Sequence, residues 1–380
     1  METFKGFKVR IYPTEVQKEN FLRYCGASRF AYNLYLRFRI KYYKLTGKTL
    51  SAFTFSKHFT KMKKRKKYKW CSEIADKVCK IAFQDVEKAY DRFFKGTAGF
   101  PRFKTRKTSR LSFGCRDDQI KLTARGLNAY SRKLGWVKFK GRLPEKISNP
   151  RISFDNKYWY LSYGTVIETQ ETNHSGSVGI DLGLKDLATL SNGNVIQNPN
   201  KSSEMNRLER RKKILQRRLS RKIEANIVGY KSNRKPIWKK PLKECRNIQK
   251  LMEKICLVER RMSNIRLNAC HELTKSVIAY ESVGIEFLKV KNLMKNKHLS
   301  RSVGRAMWYE IRRQLEYKSK MYGFELKTAS PYFPSTQTCS NCGNVKKGKE
   351  KLKLRHRTYT CGCGHSMDRD LNAAINLSRL

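Results

Sequence analysis

The N-terminal pattern of apolar and polar residues predicts a strand followed by a long helix. Apolar and basic side chains alternate over residues 5–12, KGFKVRIY, as is typical of a β-strand, and Pro13 ends the run. Thr14 and Gln17 have the spacing of a capping box. The apolar positions that follow at helical spacing are Phe21, Tyr24, Ala31, Leu34, Tyr35 and Phe38. A packed helix is therefore predicted directly after the strand.

A second amphipathic helix is predicted after a very basic segment. Residues 61–69, KMKKRKKYK, hold seven Lys or Arg side chains in nine positions. We interpret this segment as a phosphate-contacting surface, with a solvated charge run or a localisation signal as the alternatives. Ser72 is the predicted N-cap of the helix and Gly96 its predicted stop. Its apolar stripe consists of Ile74, Val78, Ile81, Val86, Ala89 and Phe93.

The pattern changes twice in the middle of the chain. Short alternating runs separated by Gly, Pro, Asn and Asp fill residues 105–170 and predict a β-rich unit. Two long basic helices are predicted over residues 204–223 and 242–280, joined by a loop that contains Gly229, Pro236 and Pro241. We expect these helices to form a hairpin.

The first of these helices is too basic to be stable alone. Leu208, Leu215 and Leu219 can bury one face, while nine cations between residues 207 and 222 accompany only Glu209. Like charges at helical spacing repel one another, so an anionic partner is expected. The nine cations are Arg207, Arg210, Arg211, Lys212, Lys213, Arg217, Arg218, Arg221 and Lys222.

Two acids occur in strand-like segments where acids are unusual. The run SVGIDLGLKDLATLSNGNVI predicts a β-hairpin with its turn at residues 191–193, and Asp181 lies in its first strand between Gly179 and Gly183, which leave room around it. Glu286 lies in SVGIEFLKV, on the strand face that carries Gly284. Burying an ionised carboxylate is costly unless a cation or several hydrogen bonds offset the cost, so a metal is the indicated partner of both acids.

A third acid is predicted on a short C-terminal helix, MDRDLNAAINLSRL. Asp368 and Asp370 are two residues apart, so about 200° of helical rotation separates them and only one can face a given site. Asp370 shares its face with the small and apolar residues Ala373, Ala374 and Leu377. Three carboxylates, two on strands and one on a helix packed across them, are what two divalent cations need for phosphodiester cleavage.

Four of the eleven cysteines form two close pairs near the C-terminus. The first pair is C-x2-C, but the second is C-x-C where a zinc ribbon has C-x2-C. We predict one structural zinc held by all four thiolates, with His365 as the nearest substitute ligand and a metal-free loop as the alternative. The four cysteines are Cys339, Cys342, Cys361 and Cys363. The other seven are scattered and do not form a disulfide framework.

Charge narrows the class of protein. The 380 residues include 84 Lys and Arg against 31 Asp and Glu, a formal net charge of +53. This excludes an ordinary metabolic enzyme and makes nucleic acid the expected partner, because a polyanion offsets the self-repulsion. No segment approaches the roughly 18 apolar residues of a membrane span, and METFKGFKVRIYP lacks the apolar stretch of a secretory signal. We expect a cytoplasmic protein with no membrane partner.

Three motifs follow one another along the chain: GIDLGLKDLAT, IEFLKVKNL and DRDLNAAINL, with the cysteine module before the last. In this order they resemble the TnpB family of transposon-encoded RNA-guided DNA nucleases, which are relatives of type V CRISPR effectors. Further segments occur in the family's order and extend the resemblance over nearly the whole chain. These segments are KVRIYPTEVQKENFL, CGASRFAYN, AYDRFFKGTAGFPRFK, WYEIRRQLEYKSKMYG and FPSTQTCSNCG.

The resemblance implies a multidomain α+β fold. A RuvC-like nuclease domain of the RNase H type is expected over residues 173–330, with the basic helical hairpin at 204–280 inside it, and its last segment at 365–380. A zinc-ribbon-like insert is expected at 331–364. The other expected parts are a wedge-type β-barrel built from residues 1–19 and 105–172, and a helical recognition domain at 20–104.

The resemblance also implies an activity. We expect cleavage of double-stranded DNA, next to a short adjacent motif, under the direction of a guide RNA derived from the transposon end. Asp181, Glu286 and Asp370 fall on the family's catalytic positions and would hold two Mg²⁺ ions, or Mn²⁺ in their place. Two alternatives remain: a guide-RNA-binding protein without catalysis, and an RNase H fold transposase that cuts without RNA. A bacterial cytosol or nucleoid location is expected.

Overall fold

The structure is a computed structural model that divides into two compact units, residues Glu2–Ile167 and Glu168–Leu380. Among the helices of the described residues, none combines the length and apolarity needed to cross a membrane. Parts of the predicted β-rich unit at 105–170 lie outside the described residues. The structure describes residues 2–106, 109–115, 120–123, 126–129, 135–139, 144, 146–155, 157–168, 174–353 and 355–380.

The described part of the first unit contains three α-helices: α1 (Glu15–Thr46), α2 (Ala52–Met62) and α3 (Asp76–Phe94). The capping box predicted at the start of α1 is confirmed, because the side chains of Thr14 and Gln17 each accept a hydrogen bond from the other's backbone N–H. All the predicted apolar positions of α1 but Phe38 are buried, and Phe38 packs against the core.

The predicted start of α3 is wrong by a few residues. Ser72 lies in a 3₁₀ helix, Lys66–Glu73, and its hydroxyl donates to the carbonyl of Lys69 instead of capping α3. The chain is extended at Ile74, so the helix begins only at Asp76. The predicted stop is confirmed, since Gly96 adopts φ +65° directly after the helix.

A seven-stranded sheet accompanies these helices in the first unit, in the order β2-β6-β7-β1-β5-β4-β3. The N-terminal strand thus lies among strands from residues 112–168, with Ile11 opposite Phe139. Phe21 of α1 packs edge-on against Phe113 and Trp159 of the sheet. The strands are β1 (Glu2–Tyr12), β2 (Ser112–Gly114), β3 (Ile120–Thr123), β4 (Gly126–Ala129), β5 (Trp136–Phe139), β6 (Ser148–Phe154) and β7 (Trp159–Glu168).

A mixed five-stranded sheet forms the centre of the second unit, in the order β10-β9-β8-β13-β14. Strand β8 is antiparallel to β9 and parallel to β13, which is parallel to β14. The single hairpin predicted here is corrected to three strands, because the chain turns at residues 183–185 as well as at 191–193. The strands are β8 (Ser177–Leu182), β9 (Asp186–Leu190), β10 (Val195–Gln197), β13 (Ser282–Ile285) and β14 (Glu325–Thr328).

The predicted helical hairpin is confirmed as α4 (Ser203–Glu224) and α5 (Arg246–Ser276). Leu208 and Leu215 are buried between the helices against apolar residues of α5. The connection is more ordered than the predicted loop, because it contains a two-stranded sheet, β11 (Ile227–Tyr230) and β12 (Pro236–Trp238). Proline is tolerated as the first residue of such a short edge strand.

The charges of the hairpin are paired differently from the expectation. Lys212 of α4 forms an ion pair of 2.6 Å with Glu259 of α5, so Glu209 is not the only acid available to the cations of α4. Glu209 itself pairs at 2.6 Å with Arg305, outside the hairpin.

The remaining described elements follow the hairpin and complete the second unit. A core of α5, α8 and the sheet includes the fully buried Leu273, Val283 and Leu315. The elements are α6 (Val290–Leu293), α7 (Ser300–Ala306), α8 (Trp308–Tyr322), β15 (Thr358–Thr360), β16 (Ser366–Asp368) and α9 (Arg369–Ser378).

Candidate functional site

Asp181 and Glu286 lie at the carboxyl ends of neighbouring parallel strands. Strands β8 and β13 pair with Ile180 opposite Ile285, so the next residue along each chain is an acid. Asp181 belongs to β8, but Glu286 follows the last residue of β13, one position beyond the strand in which it was predicted. The pairing of β13 with β14 ends at Ile285 opposite Thr328, and the chain then leaves the sheet toward α6.

Helix α9 lies directly on these two strands, as predicted for the third acid. The backbone carbonyls of Ala374 and Leu377 come so close to Gly179 and Gly284 that a Cβ on either glycine would be 1.9 Å from a carbonyl oxygen. Gly179 and Gly284 are partners in the strand register, so they form one flat patch under the helix. This corrects the interpretation that Gly179 leaves room around Asp181: it makes room for α9.

The two acids at the start of α9 have different partners. Asp368 is the N-cap, and its Oδ1 accepts hydrogen bonds from the N–H groups of Asp370 (2.9 Å) and Leu371 (3.1 Å). The Asp370 Oδ1 instead accepts from the Arg369 guanidinium at 2.9 and 3.1 Å, and its Oδ2 lies 3.8 Å from Arg357. The carboxylate of Asp368 therefore caps α9, while that of Asp370 is held by neighbouring cations.

Asp181 is buried close to two other negatively charged carboxylates. Burial and the negative charges of Glu286 and Asp370 raise the pKa of Asp181 to about 8, while Arg369 acts in the opposite direction. A carboxyl group perturbed by burial together with like charges favours a proton or a cation at its oxygens. A divalent cation prefers carboxylate oxygens and would relieve this repulsion.

Ser335, Asn372 and Asn376 contribute to the site and are missed by the sequence analysis. The Ser335 hydroxyl donates to Oε1 of Glu286. The buried Asn372 and Asn376 of α9 both donate to the carbonyl of Thr338, at 2.7 and 2.8 Å, and Asn376 also donates to that of Ser335. Asparagines four residues apart on an otherwise small and apolar helix face are the signal that could have indicated them.

The four cysteines predicted as zinc ligands lie together. Their sulfur atoms are all within 4.8 Å of one another, with Cys339 Sγ 3.8 Å from Cys363 Sγ and Cys342 Sγ 3.6 Å from Cys361 Sγ. Four sulfurs at a Zn–S distance of about 2.3 Å in a tetrahedron are about 3.8 Å apart, so the cluster fits zinc. The short C-x-C pair therefore reaches the same geometry as a longer spacing.

His365 contacts the cysteine cluster through its backbone and not through its ring. A hydrogen bond from the His365 backbone, together with the neighbouring Cys342 thiol, lowers the pKa of Cys363 to about 6. The His365 ring is used elsewhere, because its Nε2 lies 3.1 Å from Ser340 Oγ. The backbone N–H of Ser340 donates to Asn372 at 2.9 Å, which ties the cysteine module to α9.

The two segments predicted to contact phosphates both present exposed cations. A cleft of about 660 Å³ lies between α4 and α5. The cations that line it are Arg218, Arg221, Lys222, Lys250 and Lys254. In residues 61–69, Met62 is buried in the core and Tyr68 packs against it, which leaves most of the cations exposed.

Three family models match parts of the chain. A "Cas12f1-like, TNB domain" matches residues 308–377, which contain the cysteine module and all of α9 except its last residue. A "Probable transposase" model matches residues 158–297, and a "Helix-turn-helix domain" model matches residues 1–48, which include β1 and α1.

Known proteins are similar to this chain over almost its whole length. A "Putative RNA-guided DNA endonuclease" of Streptomyces pristinaespiralis is 32% identical, and the match covers 98% of this chain and 88% of that protein. A protein of the same description from Escherichia coli, InsQ, is 28% identical, with 99% and 92% covered. The solved "Cryo-EM structure of the Cas12f1-sgRNA-target DNA complex" matches with a TM-score of 0.35 and 17% identity, over 99% of each chain.

Proposed function

The chain belongs to the TnpB family of RNA-guided DNA endonucleases, and we propose that it cuts double-stranded DNA at sites chosen by pairing with a guide RNA. One observation carries the catalytic part of this proposal. Asp181 comes from β8, Glu286 from the end of β13 and Asp370 from α9. The negative charges of Glu286 and Asp370 raise the pKa of Asp181. Such a set of acids suits a nuclease site that works with bound metal ions.

In the proposed mechanism, Asp181, Glu286 and Asp370 would hold two Mg²⁺ ions, with Mn²⁺ as an alternative. When bound, these ions supply an activated water and stabilise the charge on the leaving oxygen of the phosphodiester. Ser335 orients Glu286 through its hydrogen bond, and Arg369 holds Asp370 at the start of α9. The acids would act as positioned oxygen ligands, because α9 packs closely on the paired strands β8 and β13.

The fold supports the same proposal. A mixed sheet with acids at the carboxyl ends of β8 and β13, crossed by a C-terminal helix, is consistent with a RuvC-like core of the RNase H type. We assign residues 173–330 and 365–380 to this core, with the basic hairpin 204–280 inside it. We assign residues 1–19 and 105–172 to a wedge-type unit, 20–104 to a helical recognition domain and 331–364 to the zinc-ribbon-like insert.

The guide RNA supplies the sequence specificity in this proposal. The exposed cations of the α4–α5 cleft and of residues 61–69 would contact phosphates, which suits a guide–target heteroduplex recognised by backbone and shape. The protein itself would read only a short motif in the adjacent duplex. A structural zinc held by the four cysteines would stabilise the module that is tied to α9.

The test of the catalytic assignment uses purified protein with its co-purified RNA, a plasmid that carries the matching target, and Mg²⁺. We expect Asp181→Ala, Glu286→Ala and Asp370→Asn each to abolish cleavage while RNA binding is retained, because each change removes a metal ligand.

The matched control is Asp368→Asn, which keeps the helix cap because asparagine caps as well as aspartate. We expect near wild-type cleavage from this variant. Cleavage by Asp370→Asn together with its loss in Asp368→Asn would show that the third acid is assigned wrongly. Binding of RNA and target without cleavage by the wild type would favour the non-catalytic alternative, and cleavage without RNA would favour the transposase.

A further inference from the structure

A cavity of about 410 Å³ opens beside the Glu286 carboxylate, within the second unit. Its volume lies in the range of small-ligand pockets, about 300–1,000 Å³. Leu182, Ile285 and Trp308 line it with buried apolar surface, and Glu286 is part of its wall. Of the three proposed metal ligands only Glu286 lines the cavity, so a group bound here would lie next to that acid.

The other walls of the cavity carry exposed aromatic and cationic groups. Tyr309 is 73% exposed although it lines the cavity. The Arg312 guanidinium lies 4.7 Å from the centre of the Phe287 ring, and Lys289 is a second cation on the wall. Aromatic faces bind unpaired nucleobases by stacking, and Arg and Lys bind the phosphates between them.

Trp308 adds a polar group that lacks a partner. The side chain is only 7% exposed, and within the described part of the chain its Nε1–H has no hydrogen-bond acceptor. Indole Nε1–H is a donor only, and a buried donor without an acceptor costs free energy. That atom is shielded from solvent, so Trp308 contributes apolar ring surface to the floor of the cavity and not a hydrogen bond to a ligand.

We infer that this cavity binds one unpaired nucleotide of the DNA strand being cut, next to the scissile phosphate, an inference that rests on the proposed function. Its base would stack on Tyr309 over the apolar floor, and its phosphate would lie near Lys289 and Arg312. A base within a duplex has both faces covered by its neighbours, so the cavity selects single-stranded DNA. Tyr309 thus acts as a substrate-positioning residue.

The experiment combines abasic DNA with a change at Tyr309. Single-turnover cleavage by the RNA-loaded protein is measured on targets with an abasic site at each position around the mapped cut. One abasic position should slow the wild type about fivefold or more, the lower limit for loss of one base–aromatic stack. Tyr309→Ala should slow cleavage of the intact target similarly, with little further effect from that abasic site, because both changes remove the same contact.

The matched control is Tyr230→Ala, which removes a tyrosine of comparable exposure, 64%, from β11. It should cleave like the wild type and keep the sensitivity to the abasic site. If the wild type cleaves the intact target and no abasic position slows it, the inference is overturned while the proposed function stands. Additive effects of Tyr309→Ala and the abasic site would overturn the inference in the same way. Failure of the wild type to cleave any matched target would overturn the proposed function and the inference with it.

Discussion

Among the described carboxylates, Asp181 has the pKa that is shifted furthest from its ordinary value. The pKa of Asp181 is raised to about 8 from an ordinary value of 3.8, first by burial and then by Glu286 and Asp370. The folded chain therefore holds this proton more tightly than the unfolded chain. The favourable contribution to folding is fully present below about pH 4 and is lost as the pH rises toward 8. At neutral pH the metal-free site is thus a source of instability.

We predict that Asp181→Asn raises the melting temperature of the metal-free protein at pH 7–8, because the neutral amide avoids the repulsion. The difference from wild type should shrink as the pH approaches 4. Mg²⁺ or Mn²⁺ should raise the melting temperature of the wild type but not of Asp181→Asn, since the variant lacks a ligand. Melting curves over this pH range, with and without metal, test both statements. A variant less stable than wild type at pH 8 would contradict the electrostatic argument.

The acids of the candidate site could be predicted from the sequence, but the contacts that position them could not. Acids in apolar strand segments are unusual enough to be noticed in one sequence, and so Asp181 and Glu286 could be proposed. The role of Gly179 could not be predicted, because the carbonyl that it accommodates belongs to Ala374, far away in the chain. Ser335 was equally hidden, since a serine in a loop becomes informative only when its partner Glu286 is seen beside it.

Among the elements, α9 depends on two glycines that no larger residue can replace. A Cβ at Gly284 would be 1.9 Å from the carbonyl oxygen of Leu377, a backbone atom that cannot move without the helix. We predict that Gly284→Ala destabilises the protein by about 1–3 kcal/mol or more, as overpacking does, and shifts α9 with Asp370. Denaturant unfolding measures the first effect, and the cleavage rate in Mg²⁺ measures the second.

Gly229→Ala is the matched control for Gly284→Ala. Gly229 also lies in a strand, but a Cβ there would meet nothing within 4 Å and its φ is ordinary. The control should therefore differ little from wild type in both measurements. Full stability and cleavage in Gly284→Ala would show that α9 does not pack as closely on β13 as described.

The cysteine module is the second element with a separable test. We predict about one zinc per chain by elemental analysis, and a lower melting temperature after Cys363→Ser or after chelation, because a structural zinc contributes folding free energy directly. His365→Ala should keep its zinc, since the ring of His365 contacts Ser340 instead of the sulfurs. Loss of zinc in His365→Ala would make the histidine a ligand, and zinc-free wild type would exclude the site.

Long elements with a regular pattern were predictable, and the short strands that join α4 to α5 were not. The apolar spacing of α1, α4 and α5 identifies them, because a long helix repeats its pattern over many turns. The sequence predicts a loop where β11 and β12 form a sheet, since strands of three or four residues that contain Gly229 and Pro236 give too little pattern. Ser72 was misplaced because a capping serine and a serine bonded within its own turn look the same in the sequence.

At the scale of the whole molecule, the net charge of +53 governs binding. Each phosphate neutralised by a cation contributes about −0.7 to −0.9 to the log–log salt slope of the affinity. We predict that reversing Arg218 and Arg221 to Glu weakens RNA binding and reduces the magnitude of the slope by about 1.4–1.8. Arg218→Lys with Arg221→Lys keeps the charge and should keep the slope. An RNA affinity independent of salt would contradict this account of the charge.

Specificity is also a property of the whole molecule, because it depends on RNA, DNA and protein together. A protein that reads DNA by itself needs side chains placed for bidentate contacts with bases along the whole site. The sequence offers instead a diffuse excess of Lys and Arg, which suits recognition of the backbone and shape of a heteroduplex. Sequence choice should then reside in the guide segment of the RNA.

We predict that a new guide segment redirects cleavage to the matching DNA, provided that the short adjacent motif is kept. Mismatches near that motif should reduce cleavage most, because pairing nucleates there and extends away from it. Plasmids with matched, mismatched and motif-less targets, each tested with the original and the altered RNA in Mg²⁺, measure this directly. The Asp181→Ala protein is the control for contaminating nucleases. Cleavage that ignores the guide sequence would assign target choice to the protein and contradict this prediction.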